Sequence, residues 1–310
     1  MRRVLGHLML AWYNVRTAVN ASDGEAWRRK GLALLTLGRY QKALQSSERA
    51  LALDPNDKRA WVGRYFGLVG LARYEEALSC NDRVLALDPN DADAWGRKGG
   101  LLLHLTRYEE ALPCFGGVLA LDPNDVDAWG GQGESLLGLG RNEEALSCFD
   151  RALALNANEN DAWRDKGETL LRLGRDQEAL SCFDRALTLE PADKQAWLGK
   201  GAILYLLGGF PEALRCYDRA LALDPTYKEA LTKKGELLCV FRRTGEAMAC
   251  FERAVVLDPN YGNAWFGKAG ALLLLGRGQE AISCLDVARQ LGHPGADELA
   301  DEMRRDVEGR

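Results

Sequence analysis

Residues 160–227 read NDAWRDKGETLLRLGRDQEALSCFDRALTLEPAD and then KQAWLGKGAILYLLGGFPEALRCYDRALALDPTY, two lines of 34 residues with one pattern. Tryptophan is fourth and glycine eighth in both lines, and the second half of each contains an Ala-Leu pair, an aromatic residue and a proline. The tryptophans at this interval are Trp27, Trp61, Trp95, Trp129, Trp163, Trp197 and Trp265, and Leu231 takes the missing place. A period in this range predicts a stack of structural repeats, each packed only on its neighbours.

Residues 58–91 indicate how one repeat folds. Trp61, Tyr65 and Leu68 lie at spacings of four and three residues, which is one face of an α-helix. After a short turn, Glu75 opens a second helix, because an acidic side chain suits the positive end of the helix dipole. Asp and Asn residues at the end of the repeat can cap the next helix. Each repeat is therefore predicted to be a pair of helices.

The second helix of each pair is predicted to pack closely on its neighbours. An alanine begins its inner face in all eight repeats, and a small side chain there lets two helices approach. An aromatic residue follows four positions later in five repeats, where it would fill the gap between helices. These aromatic residues are Phe115, Phe149, Phe183, Tyr217 and Phe251.

The pattern resembles the tetratricopeptide repeat family. In residues 160–193 it is carried by Trp163, Gly167, Ala179, Phe183, Ala186 and Pro191. The resemblance covers residues 24–295 and implies an all-α fold, a right-handed α-solenoid superhelix whose first helices line a concave groove. Members of the family mostly bind peptides or protein partners there. The resemblance therefore implies a noncatalytic protein–protein interaction scaffold.

The predicted repeats are flanked by a further helix at each end. Residues 1–23 are in register with a second helix and are predicted to cap the first repeat, and residues 296–310 to form a polar C-terminal cap. Basic residues before an apolar start also suit a signal peptide over residues 1–21, which His7 and Arg16 disfavour. The predicted repeats are 24–57, 58–91, 92–125, 126–159, 160–193, 194–227, 228–261 and 262–295.

Charge is unevenly distributed along the chain. Residues 1–60 hold 11 Lys or Arg and 5 Asp or Glu, whereas the remainder holds 29 and 40. The net charge is therefore positive over residues 1–60 and negative over the remainder. Two interpretations remain open, random drift on solvated faces or a basic end that attracts acidic partners. The net charge of −5 and the lack of a basic stripe argue against a nucleic-acid partner.

Seven cysteines also recur every 34 residues, one in each repeat except the first. Equivalent helices in a stack lie about 8–10 Å apart or more, whereas a disulfide needs Cα atoms within about 7 Å. We therefore expect packing residues in a reducing compartment, which favours a cytoplasmic location. The sequence contains no run of 18 apolar residues, so it predicts no membrane span. The seven are Cys80, Cys114, Cys148, Cys182, Cys216, Cys250 and Cys284.

The sequence shows no arrangement typical of a catalytic site. His7, His104 and His293 are too far apart in a stack to form a triad or a metal site, and no phosphate-binding GxxxxGK[ST] motif occurs. Paired glutamates recur only at helix starts, where neighbouring side chains point apart. We expect no enzyme activity, no cofactor and no metal.

The resemblance also indicates which residues face the groove. They are those one, five and nine positions after each tryptophan and two before it, which would give a basic N-terminal part, a mixed middle and an apolar C-terminal part. The candidate partner-binding residues are Arg28, Arg59, Arg64, Glu134, Arg164, Glu168, Arg172, Leu198, Leu206, Phe266 and Leu274. The asparagine with which some members grip a C-terminal carboxylate is absent, so that mode of binding is not expected.

Three functions remain open at this point. In the leading one, a protein or peptide partner lies in the groove, with arginines steering the encounter and apolar side chains providing burial. In the others, the solenoid self-associates, or it serves as a regulatory or adaptor subunit of an enzyme complex. The apolar groove residues could instead contact the protein's own terminal helix or lie exposed.

Overall fold

The computed structural model describes residues 2–308, and this part of the chain contains 18 helices joined by short turns. The predicted all-α fold of tandem helix pairs is confirmed. The helices are α1 Arg2–Val19, α2 Gly24–Thr36, α3 Tyr40–Leu53, α4 Lys58–Gly70, α5 Tyr74–Leu87, α6 Ala92–His104, α7 Tyr108–Leu121, α8 Val126–Gly138, α9 Asn142–Leu155, α10 Asn160–Arg172, α11 Asp176–Leu189, α12 Lys194–Leu206, α13 Phe210–Leu223, α14 Lys228–Val240, α15 Thr244–Leu257, α16 Gly262–Leu274, α17 Gly278–Gln290 and α18 Ala296–Glu308.

The chain divides into two compact units, unit 1 from Met1 to Leu155 and unit 2 from Asn156 to Arg310. We number the helix pairs from repeat 1, which is α2 and α3, to repeat 8, which is α16 and α17. The repeat boundaries drawn from the sequence remain our proposal. Unit 1 holds α1 and repeats 1 to 4, and unit 2 holds repeats 5 to 8 and α18.

Each periodic tryptophan ties its helix to the turn that precedes it. The indole Nε1–H of Trp61 donates a hydrogen bond to the carbonyl oxygen of Pro55 at 2.9 Å. The other six periodic tryptophans make the same bond to the residue six positions earlier. At the start of the same helix, the side chain of Asp57 accepts a hydrogen bond from the N–H of Ala60 at 3.0 Å. These bonds fix where a first helix begins, and the predicted capping is confirmed.

A residue in the left-handed backbone region ends the first helices. In repeats 1, 4, 5, 6 and 8 this residue is glycine, as at Gly174 with φ of 70°. In repeats 2, 3 and 7 it is Ala72, Thr106 or Arg242, with φ between 56° and 58°. The N–H of the following residue closes the helix, as where Arg73 donates to the carbonyl oxygen of Leu68 at 2.9 Å. A side chain with a Cβ is strained in this region, whereas glycine is not.

Replacing Ala72 by glycine should therefore stabilise the protein. We expect Ala72→Gly to raise the free energy of unfolding by about 1 kcal/mol, because it removes the left-handed strain. Urea denaturation followed by circular dichroism measures this change. Ala249→Gly is the matched control, since Ala249 is exposed inside α15 and the same substitution there should cost about 1 kcal/mol. Two shifts of the same sign would contradict this account of the turn.

The predicted filling of the gap by aromatic side chains is confirmed, and glycines make room for the rings. Phe183 is buried between α10 and α12. A Cβ added at Gly167 would lie 3.1 Å from its ring, and one at Gly199 only 2.4 Å away. Phe251 lies in the same way against Gly235 and Gly267. One ring therefore fills the space beside the first helices of two successive repeats.

The periodic cysteines are small packing residues of the second helices. All seven are buried, and Cys239 outside the period is partly exposed. Burial raises the pKa of the Cys80 and Cys148 thiols to about 11, because a thiolate loses its hydration there. The reactive thiolate form is therefore scarce at neutral pH.

We expect the seven periodic cysteines to resist alkylation in the folded protein. At Cys80 and Cys148 a pKa of about 11 lowers the thiolate fraction about 100-fold at neutral pH, and burial limits the access of the reagent to all seven. Timed labelling with iodoacetamide, read by mass spectrometry, should modify Cys239 first and all eight cysteines only in urea. Rapid labelling of Cys80 or Cys148 in the native protein would show that the second helices are not packed as described.

A single helix covers the outer repeat of each unit. In unit 1, Leu10 and Tyr13 of α1 are buried against repeat 1, whereas Leu8 and Trp12 on the opposite face are exposed. In unit 2, Ala300 of α18 is buried against repeat 8, and the other face of α18 is polar. Within residues 2–308, no helix combines the length and the apolar character needed to cross a membrane.

Candidate functional site

The candidate partner-binding residues lie on the first helices of the repeats. These helices contact one another within each unit, α2 with α4 and α6 with α8 in unit 1, and α10 through α12 and α14 to α16 in unit 2. Packed helices have axes about 8–10 Å apart. Residues at the same position of successive repeats therefore form rows with about that spacing.

The three N-terminal arginines have different surroundings in unit 1. Arg28 is mostly buried, with its Nε 3.8 Å from the Asp57 carboxylate. Arg64 lies over the ring of Trp61, and its guanidinium is 4.0 Å from Glu48 on α3. Arg59 is exposed, and no ion pair to it occurs among residues 2–308. Arg59 is thus the arginine of the three that is open to a partner.

Unit 1 also has two exposed apolar residues on its first helices that are not among the candidate residues predicted from the sequence. Leu32 and Phe66 lie five positions after Trp27 and Trp61, and their side chains are 56% and 45% exposed. The same position in repeat 3 is Gly100, where an added Cβ would meet nothing within 4 Å. The 34-residue register could have found both side chains, because it places them in one row.

The charged residues in the middle of the chain are engaged with their own surroundings. Arg164 lies within 3.5 Å of Asp161, Asp165 and Asp193, and although burial opposes it, these carboxylates raise its pKa. In the same helix, Arg172 donates to Glu168 at 2.7 Å. Glu134 of unit 1 is exposed on α8. Arg164 is therefore held by its own chain, and a ligand would have to displace three carboxylates to reach it.

The last residues of the first helices in repeats 6 to 8 form an exposed apolar row. Leu206, Val240 and Leu274 lie nine positions after Trp197, Leu231 and Trp265, and they are 61%, 47% and 45% exposed. We call these three residues the apolar row. The next residue in each repeat is also large, apolar and exposed, and these residues are Leu207, Phe241 and Leu275. Val240 was missed because leucine replaces the tryptophan in its repeat, although the register still gives its position.

The other two apolar candidates support the core of unit 2. Leu198 packs against the buried side chains of Tyr217 and Leu237. Phe266 is partly buried and stacks on the imidazole ring of His293, with ring centres 4.2 Å apart. Both side chains have less free surface than the apolar row, because residues of their own unit cover them.

The candidate positions on the first helices offer exposed apolar side chains and charged side chains. Within residues 2–308, no group of three or more His, Cys, Asp or Glu side chains is placed to hold a metal ion. The arrangement of helix pairs and exposed rows is that of an all-α tandem-repeat protein.

The chain belongs to the tetratricopeptide repeat family. The family's models match residues 24–57 and then, in overlapping segments, 67–126, 105–146, 131–193, 164–228, 203–262 and 232–295. The resemblance seen in the sequence is therefore confirmed. No match was found among curated proteins.

Several solved structures are similar to this chain. A MamA fragment from Desulfovibrio magneticus RS-1 is 26% identical, with a TM-score of 0.52 over 55% of this chain and 96% of that one. A tetratricopeptide repeat protein from Parabacteroides merdae is 16% identical, with a TM-score of 0.64 over 79% and 96%. A chain of the APC/C hetero-tetramer Cut9–Hcn1 is 17% identical, with a TM-score of 0.68 over 94% and 58%. The last two show the fold alone.

Proposed function

We propose that this protein is a noncatalytic protein–protein interaction scaffold that holds a partner segment against the apolar row of unit 2. The exposure of Leu206, Val240 and Leu274 at one position of three successive repeats carries this proposal. Single exposed apolar residues are ordinary on protein surfaces, but contiguous ones mark interaction sites. Membership of a family of interaction repeats supports the same conclusion.

The spacing of the apolar row suggests the form of the partner. A spacing of about 10 Å between successive residues of the apolar row matches a partner helix with an apolar residue every seven positions, since a helix rises about 1.5 Å per residue. It also matches a polyproline II segment with an apolar residue at every third position, since that helix has three residues per turn and rises about 3.1 Å per residue. Fully burying an exposed aliphatic side chain contributes about 1.5–3 kcal/mol, and these three are about half exposed, so each anchor contributes about half of that amount to the complex.

Unit 1 would add a second, weaker contact of the same kind. Leu32 and Phe66 offer apolar surface, and Arg59 lies two positions before Trp61 without an ion pair among the described residues. An exposed charge of this kind affects the rate of encounter more than the lifetime of a complex. We therefore assign steering to Arg59 and affinity to the apolar row.

Photo-cross-linking tests the assignment without knowing the partner in advance. With Val240→benzoylphenylalanine, we expect partner peptides to cross-link at position 240, with apolar residues spaced by seven or by three. Adding Leu206→Glu and Leu274→Glu should lower that yield about 10-fold, because two side chains that the partner would bury become charged.

Val256→Glu is the matched control for these substitutions. Val256 is 80% exposed on the second helix α15, away from the apolar row, so its replacement should leave the cross-linking unchanged. An equal loss with the control, or an unchanged yield with the double variant, would show that the apolar row is not the contact surface.

A further inference from the structure

Repeat 1 lacks a carboxylate that every other repeat has at the start of its second helix. The third residue of that helix is glutamate in repeats 2 to 8, and it is Lys42 in repeat 1. In repeat 2, the Nε of Arg73 donates to Glu76 at 2.6 Å, and five other repeats form the same pair. Repeat 1 places Arg39 beside Lys42 instead, and neither has an ion pair among residues 2–308.

Repeat 1 also lacks the carboxylate that a preceding second helix offers to the first helix. The Nζ of Lys98 lies 2.6 Å from Asp82 of the preceding repeat, and pairs at the same two positions recur in unit 2 at 2.6 and 2.7 Å. Lys30 is the equivalent of Lys98, and Asn14 of α1 stands where the acid would be. Lys30 donates to the hydroxyl of Thr17 at 3.3 Å, and burial lowers its pKa.

These uncompensated cations surround a cavity of about 880 Å³ between α1, α2 and α3. The cations that line it are Lys30, Arg39, Lys42 and Arg49. Among the described residues that line it, the one acid is Glu48, which also lies 4.0 Å from Arg64. Leu10, Leu34 and the ring of Trp27 supply an apolar part of the wall. The cavity is thus basic and partly apolar, and it contains none of the apolar row of unit 2.

We propose that this cavity binds an acidic peptide segment of a partner protein, whose carboxylates take the places that Glu and Asp side chains hold in the other repeats. The other repeats show that each of these positions suits a carboxylate, since arginine and lysine there bind one at 2.6 Å. The leucines and Trp27 favour a segment with apolar side chains between its acids. The cavity shares no residue with the partner contact proposed above, so it extends the function beyond that contact.

The proposal can be tested by introducing, through substitution, the two carboxylates that repeat 1 lacks. A fluorescein-labelled peptide that alternates glutamate and leucine should bind the full chain, as measured by fluorescence anisotropy. In the double variant Asn14→Asp with Lys42→Glu, the chain's own carboxylates occupy both positions, and we expect the dissociation constant to rise about 10-fold or more. This variant should melt at or above the temperature of the unchanged protein, because it gains the ion pairs of the other repeats.

Two controls separate this site from general charge effects and from the apolar row. Arg219→Glu makes the same charge change as Lys42→Glu at an exposed position of α13, and it should leave peptide affinity unchanged. Leu206→Glu with Leu274→Glu should also bind the peptide normally, even if the apolar row proves to have no partner. Should the double variant in repeat 1 unfold, Arg49→Gln should still weaken binding about threefold.

Four results would overturn the proposal. The unchanged protein could fail to bind the peptide, or the double variant Asn14→Asp with Lys42→Glu could bind it equally well. A lysine–leucine peptide could bind with the same affinity, which would remove the role of the cations. Displacement of the peptide by inorganic phosphate at millimolar concentration would make the cavity a site for small oxyanions instead.

Discussion

The structure depends on the contact between an aromatic ring and two glycines. Phe183 on α11 fills the space left by Gly167 on α10 and Gly199 on α12, and Phe251 does the same further along unit 2. The ring can approach both backbones only because neither glycine has a side chain. Dispersion and burial then act between one second helix and two first helices, so in these repeats the contact that holds the helix pair also joins the repeat to the next one.

This way of packing leaves particular surfaces free for binding. The rings, alanines and cysteines of the second helices are occupied by contacts between neighbours, and the seven periodic tryptophans are hydrogen-bonded to the turns that precede them. The residues at the end of a first helix have no such structural role, and in repeats 6 to 8 they are large and apolar. In repeat 1, two carboxylates that form ion pairs in other repeats are missing, and a basic cavity lies beside the unpaired positions. The apolar row therefore lies at a position that the packing of the repeats does not use, and the basic cavity lies where one repeat lacks ion pairs that other repeats form.

Much of the fold could be predicted from the sequence because equivalent residues pack in the same way in successive repeats. The spacing of Trp163 and Trp197 gave the period, and the aromatic position of Phe183 was recognised as a plug between helices. The register also led to Leu206 and Leu274, since position within a repeat determines the face of the helix. The register does not predict which neighbour a long side chain will contact, or which side chains a segment outside the helix pairs will cover. Arg64 turns towards Glu48, and Phe266 stacks on His293, which belongs to the segment after the last helix pair.

The most direct test of this account compares two glycine-to-alanine substitutions in first helices of unit 2. Alanine normally stabilises a helix interior by about 1 kcal/mol relative to glycine. At Gly270 an added Cβ meets nothing within 4 Å, so Gly270→Ala should raise the free energy of unfolding by about that amount. At Gly199 the Cβ would press into the buried ring of Phe183, and overpacking of this kind costs about 1–3 kcal/mol, so Gly199→Ala should lower it. Equal stabilisation by both substitutions in urea denaturation would contradict the account.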